Sequence, residues 1–469
     1  MSRIIVVGGG LIGLATALLL DKQGHEVTVL ERDPAPPPGT AAGAWDSWER
    51  GGVMQFRQAH YLHAGGWQVI QARLPEVARA LAAAGAAAFN PVSLMPPGIT
   101  DRAPRPGDER FGTLNARRPV LEHAMATAGS GRIDIRRDAL VTGLLSDRPG
   151  HVTGVRLQSG PELRADLVID AAGRRSALPA WLRAIGAGRP AEEAEDSGFT
   201  YYTRFFRARD GEQPPPLRAG NLTAFDCYSI LTLPSDARTW SVTVYITSGD
   251  RPLKALREEG SWARLLAACP RHAHLVDGQA PITGVLPVSG IADRRRTLVA
   301  DGTPAATGIL AVGDSWACTN PSLGRGVTLG LRHAEITAEA VGEHLGDPLA
   351  LALAHDRLTT ERLLPWYRLT AQADRARLAQ ITAVVQGRPA ERPAAPPGPD
   401  LALMRDMAAG LTRDAEVFRA FIEMYGLLAT PAEIAARPGM TERISQAAAG
   451  HRPSPPPGPS RAELLAMLR

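Results

Sequence analysis

The opening stretch of this chain leaves few folds open. Arg3 to Val7 is a short β-branched run, Leu11 to Leu20 is helix-forming and apolar on most faces, and Glu26 to Leu30 is a second strand-like run that ends at Glu31. Strand, helix and strand within about 30 residues form a βαβ unit, which calls for a parallel sheet with helices over its faces. Glycines fill the turn from the first strand into the helix, Val7-Gly8-Gly9-Gly10-Leu11-Ile12-Gly13. Gly8 permits the tight turn, Gly10 lets backbone approach a pyrophosphate, and Gly13 lets helix and sheet pack closely. The helix N-terminus then presents unpaired N–H groups and a partial positive charge to phosphates. Glu31 stands 18 residues beyond Gly13, near the spacing of a carboxylate that binds a ribose hydroxyl pair. The pattern specifies a dinucleotide without separating NAD from FAD.

Two later segments have related grammar. Ala165 to Asp170 reads as a buried strand running into a turn at Gly173, followed by Arg174, Arg175 and Ser176. Asp170 can hold a nucleotide there, or equally cap the next helix. Ile309 to Val312 is a strand ending in Gly313-Asp314, and Pro321-Ser322-Leu323-Gly324-Arg325-Gly326 is a loop opening another helix. Its N-terminus offers donors to an anionic group. Asp314 can accept hydrogen bonds from a hydroxylated chain, or serve as a helix cap beside a glycine turn.

Composition narrows the function classes. A chain of 469 residues suffices for two or three domains, and 44% hydrophobic with 21% charged residues is ordinary for a globular protein. Net charge is +4, Lys22 and Lys254 are the only lysines, and the arginines are mixed with acids. Phosphate-backbone binding needs clustered positive charge, so no nucleic-acid partner is expected. The arginine bias suits a GC-rich bacterial genome. Cys227, Cys269 and Cys318 are widely spaced with no CxxC, which argues against disulfides and a zinc site and suits a reducing cytoplasm. No leader and no membrane span are expected.

Between the motifs, Asp33 to Thr40 reads as loop, Leu74 to Ala88 as an alanine-rich helix, Arg118 to Thr127 as a helix entered at Pro119, and Val152 to Leu157 as one strand of a hairpin. From Phe199 to Ser248 aromatic and β-branched residues dominate, as in an antiparallel sheet. That sheet is the candidate substrate-facing domain, although any single aromatic in it is more simply core. Thr328 to His344 and Leu349 to Val385 read as helical, Gly387 to Pro399 as a Pro-rich linker, Leu401 to Gly450 as a helical appendage, and His451 to Ser460 as a Pro-rich tail leading to a last short helix.

Taken in order, the three motifs resemble those of the single-component FAD-dependent aromatic hydroxylases of the para-hydroxybenzoate hydroxylase fold, over roughly residues 1 to 380. The resemblance implies an α/β fold: a discontinuous Rossmann-like FAD-binding domain (1–180 and 290–345), an antiparallel-sheet substrate domain (181–289) and a C-terminal helical region (346–469). It assigns the cofactor to Gly8, Gly10, Leu11, Ile12, Gly13, Glu31, Arg32, Arg118, Val141, Asp170, Gly173, Gly313, Asp314, Pro321, Gly324, Arg325 and Gly326. Asp314 would bind the ribityl chain, and the backbone of Gly324 to Gly326 would lie beside the flavin ring. The family has Asp-Gly where this chain has Ala172-Gly173, which weakens the NADPH role given to that motif, and Arg325 stands where many relatives have Gln.

A nearer resemblance is to bacterial polyether epoxidases, through Gly52-Val53-Met54-Gln55 with His60, Asp196-Ser197-Gly198 before Tyr202-Thr203-Arg204, and Asn320-Pro321. It implies a natural-product tailoring enzyme in which NAD(P)H reduces the flavin, O2 forms a C4a-hydroperoxide, and one oxygen atom passes to a small-molecule substrate. No side-chain triad is then required. Gln55, Arg57 and His60 are the candidate catalytic lining, a histidine there being more often structural, and the absence of an evident base for a phenol tilts the expectation toward epoxidation. The halogenase branch's Trp-x-Trp-x-Ile-Pro signature is absent. A reductase of the geranylgeranyl reductase type, whose middle motif is similar to Asp170-Ala171-Ala172-Gly173-Arg174, remains an alternative, as does a flavin-binding protein without catalysis.

Overall fold

Four consecutive apolar residues, Ile4 to Val7, are buried on both faces of strand β1 (Arg3–Val7), which is the environment of a central parallel strand. In this computed structural model, which describes residues 1–388, 398–451 and 455–468, β1 leads into helix α1 (Leu11–Lys22) and back into β2 (Glu26–Leu30), parallel to β1 in register. Helix α2 (Arg118–Gly129) then covers α1, and β3 (Asp134–Arg136) pairs parallel with β2. A hairpin follows, Val141–Arg148 against His151–Leu157, and the chain re-enters the sheet on the other side of β1 with β4 (Leu167–Asp170). The expected helix over Leu74 to Ala88 stops at Ala83. Ala87–Phe89 is instead a strand paired with Thr113–Asn115, because tertiary pairing overrides the helix preference of alanine.

A second sheet is antiparallel. Of its strands β5 (Phe199–Arg207), β6 (Tyr228–Ser235) and β7 (Thr239–Thr247), β6 and β7 form a hairpin, β5 pairs antiparallel with the other side of β7, and β8 (Leu286–Ser289) pairs with the free side of β5. Side chains alternate along its strands. Tyr202, Phe206, Ile230, Val242 and Val244 face outward into a core closed by Trp262 and Leu464, while Tyr201, Thr203, Leu231 and Thr243 face inward. Its docking is fixed at the β6–β7 turn. Ala237 and Arg238 both adopt positive φ (51° and 56°), a strained conformation for residues with a Cβ. Asp236 in the same turn makes a buried ion pair with Arg117, Nη2 to Oδ2 2.6 Å, at the start of α2.

Strand β9 (Ile309–Ala311) then completes the first sheet, in the order β9-β4-β1-β2-β3. Helix α3 (Gly326–His344) packs across α1 so closely that a Cβ on Gly330 would lie 2.5 Å from Ile12 Cδ1. Helix α4 (Leu364–Val385) joins the two cores, with Trp366 and Leu369 in the first and Ile381 in the second.

The segment expected to be an appendage is part of the main core. Met407, Val417, Met424, Ile434 and Ile444 are buried in it. Helix α5 (Ala415–Tyr425) ends where Gly426 O accepts the Gly65 N–H at 2.9 Å, and Arg419 pairs with Asp108 at 2.8 Å. The final helix, Arg461–Met467, packs on the outer face of the second sheet. Of the expected linker at 387–399, residues 389–397 lie outside the described residues, as do 452–454 of the Pro-rich tail. Among the described residues no helix is long and apolar enough to cross a membrane.

Candidate functional site

Because every strand of the first sheet runs the same way, the segments after β1, β2, β4 and β9 emerge at one edge. The strand order reverses between β1 and β4, and a cleft opens at such a switch point. There a Cβ on Gly8 (φ +105°) would lie 2.5 Å from Ala171 O, and one on Gly13 only 1.9 Å from Gly8 O. A Cβ on Gly10 would meet nothing within 4 Å. The three glycines therefore divide the work as the motif requires: two permit close packing, and Gly10 borders open space. Helix α1 has no side-chain cap, so its first N–H groups remain available to an anion.

The open space is a cavity of about 360 Å³ that runs from this turn to the inner face of the antiparallel sheet. Its charged flank is built around Arg50. This buried guanidinium donates to Glu31 (2.7 Å), Asp33 (3.0 Å) and Glu122 (2.8 Å). Glu122 also takes Arg118 Nε at 2.6 Å. Glu31 lines the cavity, yet Oε2 already accepts from Gly9 N (2.8 Å) and Arg50, and Oε1 from Asp33 N (2.9 Å). Its first task is to hold the glycine turn.

His60 lines the cavity with Nδ1 against Gln58 O (2.9 Å) and Nε2 against Arg118 Nη1 (3.4 Å). The carbonyl fixes Nδ1 as the protonated nitrogen, so the Nε2 lone pair faces a cation. Burial, then Arg118, pushes its pKa down to about 3. His60 is thus neutral, ill suited to take a proton, and orients Arg118.

On the opposite wall Gly324 (φ +66°) ends a short 3-10 turn, and Pro321, Gly324, Gly326 and Val327 bring the start of α3 to the cavity. A Cβ on Gly326 would meet nothing within 4 Å. The Asp314 carboxylate borders the cavity and takes no side-chain or backbone N–H at hydrogen-bonding distance among the described residues. Burial raises its pKa, while Arg118, Arg174, Arg294 and a hydrogen bond from the Cys318 thiol pull it back. The far end is apolar with a few hydroxyls: Leu231, Val288 and Ile291 beside Thr203 and Thr243, whose Oγ1 atoms pair at 2.9 Å. There Tyr201 O–H donates to Asn320 Oδ1 at 2.7 Å. The Gln58 amide nitrogen reaches Leu286 O at 3.4 Å, which leaves buried Oε1 without a partner.

The cavity gathers Gly8, Gly10, Leu11, Ile12, Gly13, Glu31, Arg32, Arg118, Val141, Gly173, Asp314, Pro321, Gly324 and Gly326, together with Gln55 and His60. Four expected residues lie off it. Asp170 is fully buried, bonded to Ser176 Oγ and Ala172 N, so it caps the turn after β4. Gly313 sits behind the wall, its N–H donated to His333 Nδ1 at 3.2 Å. Arg325 points away toward Trp366 and Thr370. Arg57 is stacked 5.0 Å over Trp45, with Nη2 on Trp48 O at 3.2 Å, and braces the wall from behind. Sequence reasoning missed Arg50 and Gln58, which belong to no motif, and Tyr201, Thr203 and Thr243, whose inward register only the sheet pairing sets.

A dinucleotide cleft continuous with an apolar sheet face has the fold of solved flavin-dependent enzymes. The family model described as FAD dependent oxidoreductase matches residues 3–61. Protein Rv3254 of Mycobacterium tuberculosis (strain ATCC 25618 / H37Rv) is 27% identical over 393 residues, covering 79% of this chain and 79% of that protein. Among solved structures, a probable FAD-dependent monooxygenase, PqsL from Pseudomonas aeruginosa, superposes with TM-score 0.59 at 18% identity, over 82% of this chain and 99% of that one. The flavin-dependent brominase Bmp2 gives TM-score 0.58 at 16% identity, over 90% and 98%. At such identities the two structures speak for the fold alone. The cavity suits FAD: an uncapped helix end, open space at Gly10 and Gly326, and a carboxylate at Asp314 bordering the cavity are complementary to phosphates, a flat ring and a hydroxylated chain.

Proposed function

We propose that this chain is an FAD-dependent monooxygenase that uses NAD(P)H and O2 to hydroxylate or epoxidise a small, largely apolar natural product of polyketide-like or aromatic type. The observation that carries the reading is the continuity of one cavity from the Gly8–Gly13 turn, past Asp314 and the start of α3, to Thr203, Leu231 and Thr243 on the antiparallel sheet. The N–H groups of α1 would hold the pyrophosphate, Asp314 the ribityl hydroxyls, and the Gly324–Gly326 backbone the ring. The flavin, when bound, supplies two-electron acceptance from a nicotinamide and transfer of one oxygen atom of O2. The protein's part is to hold the substrate against the ring and exclude water, a role the apolar sheet face would serve. The Gln58 Oε1 and Tyr201 hydroxyl oxygens offer acceptors that would orient a substrate O–H.

The described cavity wall holds no lysine: Lys22 pairs with Glu76 on the surface at 2.9 Å, and Lys254 is exposed. With neutral His60, this leaves no evident base, which favours epoxidation or an already activated substrate. The geranylgeranyl-reductase-type reading shares the cofactor end and differs in inserting no oxygen.

The test is stopped-flow absorbance of the anaerobically reduced holoenzyme mixed with O2 and candidate polyene or phenolic substrates, followed by mass analysis of products formed under 18O2. One labelled oxygen atom in the product, with one NAD(P)H consumed per turnover, is expected. A product reduced at a carbon–carbon bond with no label refutes the oxygenase reading in favour of the reductase.

A further inference from the structure

We propose that the Arg325 guanidinium is a fixed positive charge behind the Gly324–Gly326 edge of the cavity, and that it favours the reduced, negatively charged form of the flavin ring over the neutral oxidised form. This rests on the reading that FAD occupies the cavity.

Arg325 is 1% exposed, and an arginine so deep is ordinarily ion-paired. Here Nη1 donates to Thr370 Oγ1 at 2.9 Å, Nε has no partner, and the guanidinium lies 5.6 Å over the Trp366 ring. Tyr425 and Asp374 are the ionisable groups that act on it, against the larger effect of burial. The groups around it are mostly uncharged. Burial, then Arg325 itself, pushes His63 down to about 3, and burial pushes Tyr425 up to about 12. The nearby acid, Asp374, is occupied: its carboxylate takes Asn320 Nδ2 at 3.1 Å and the Ser322 hydroxyl. Arg325 is also the N-cap residue of α3, so its charge adds to the positive end of that helix. Two like contributions at one cavity edge are unfavourable unless an anion faces them, and a ring that gains negative charge on reduction supplies one.

The experiment equilibrates holoenzyme anaerobically with a reference dye, xanthine and xanthine oxidase delivering the electrons. Two electrons enter each flavin and one proton goes to N5, leaving one negative charge on the ring. Relative to wild type, R325M is expected to lower the reduced-to-oxidised ratio at fixed dye potential by about 10-fold or more, which is ~30 mV for a two-electron couple, while R325K stays near wild type. An R325M ratio equal to wild type overturns the proposal. Should R325M lose flavin or fail to fold, D374N at about pH 8.5 removes the opposing charge and must raise the ratio; an unchanged or lower ratio overturns it equally. Wild-type protein that binds no FAD refutes the functional reading instead.

Discussion

Gly10 and Gly13 are three residues apart in one motif, and the structure predicts opposite consequences for the same methyl group. At Gly13 a Cβ would sit 1.9 Å from Gly8 O, 3.1 Å from Gly8 C and 3.3 Å from the Ala171 Cβ. The obstructing atoms are backbone, pinned by Val6 and Val7 on one side and Leu14 on the other, all at most 5% exposed. Neither wall can yield cheaply, so Gly13→Ala is expected to cost about 3 kcal/mol, the upper part of the range for overpacked cores. At Gly10 the backbone is extended (φ −79°, ψ 179°), open to any residue, and the added methyl enters empty cavity. Gly10→Ala should leave apoprotein stability within about 0.5 kcal/mol of wild type and weaken FAD binding by at least ~1.4 kcal/mol, a factor of ten, because the pyrophosphate can no longer approach the backbone. Urea midpoints of the apoproteins and flavin-fluorescence titrations separate the two effects. A Gly13→Ala variant that unfolds at the wild-type midpoint, or a Gly10→Ala variant that binds FAD as wild type does, would refute this division of roles.

Other consequences follow from the same site. Arg50→Met removes the shared cation of Glu31, Asp33 and Glu122 and should cost roughly 3–5 kcal/mol in the urea midpoint, whereas Glu122→Gln, which leaves Arg50 two carboxylates, should cost less. Asp314→Ala should weaken FAD by about 1–3 kcal/mol; unchanged flavin content would remove Asp314 from the site. Asp374 is raised to about 7 by burial. The folded chain therefore keeps a proton that the unfolded chain releases near its ordinary 3.8, so this group makes stability fall as pH rises between about 4 and 7. D374N should flatten that part of the pH–stability curve, and an unaltered slope would contradict the assignment. Truncation after Gly387, harmless if the later helices were an appendage, is expected to give insoluble or flavin-free protein, because Met407, Val417 and Met424 are core residues.

Much of the cofactor end was legible because it is local. The Gly8–Gly13 turn, the strand before Asp170 and the Gly313-Asp314 strand end are each specified by neighbours within a few residues, through φ requirements, helix dipoles and strand propensity. Their shared direction in a parallel sheet then forces them together, so segments 140 or more residues apart meet at one edge. The βαβ start, a dinucleotide ligand and an antiparallel sheet are therefore written in short stretches of the chain. Tertiary structure alone decided which side chains face the cavity. Asp170 and Arg325 sit in motifs yet turn away, since a capping serine and a helix behind the wall take their polar atoms, while Arg50 and Gln58 lie in no motif and line it. The inward row Tyr201, Thr203, Thr243 and Leu231 depends on a pairing register, and a one-residue slip would exchange it for the opposite face. Long-range register and the burial of charge depend on the whole chain packed at once, and a local pattern cannot encode them.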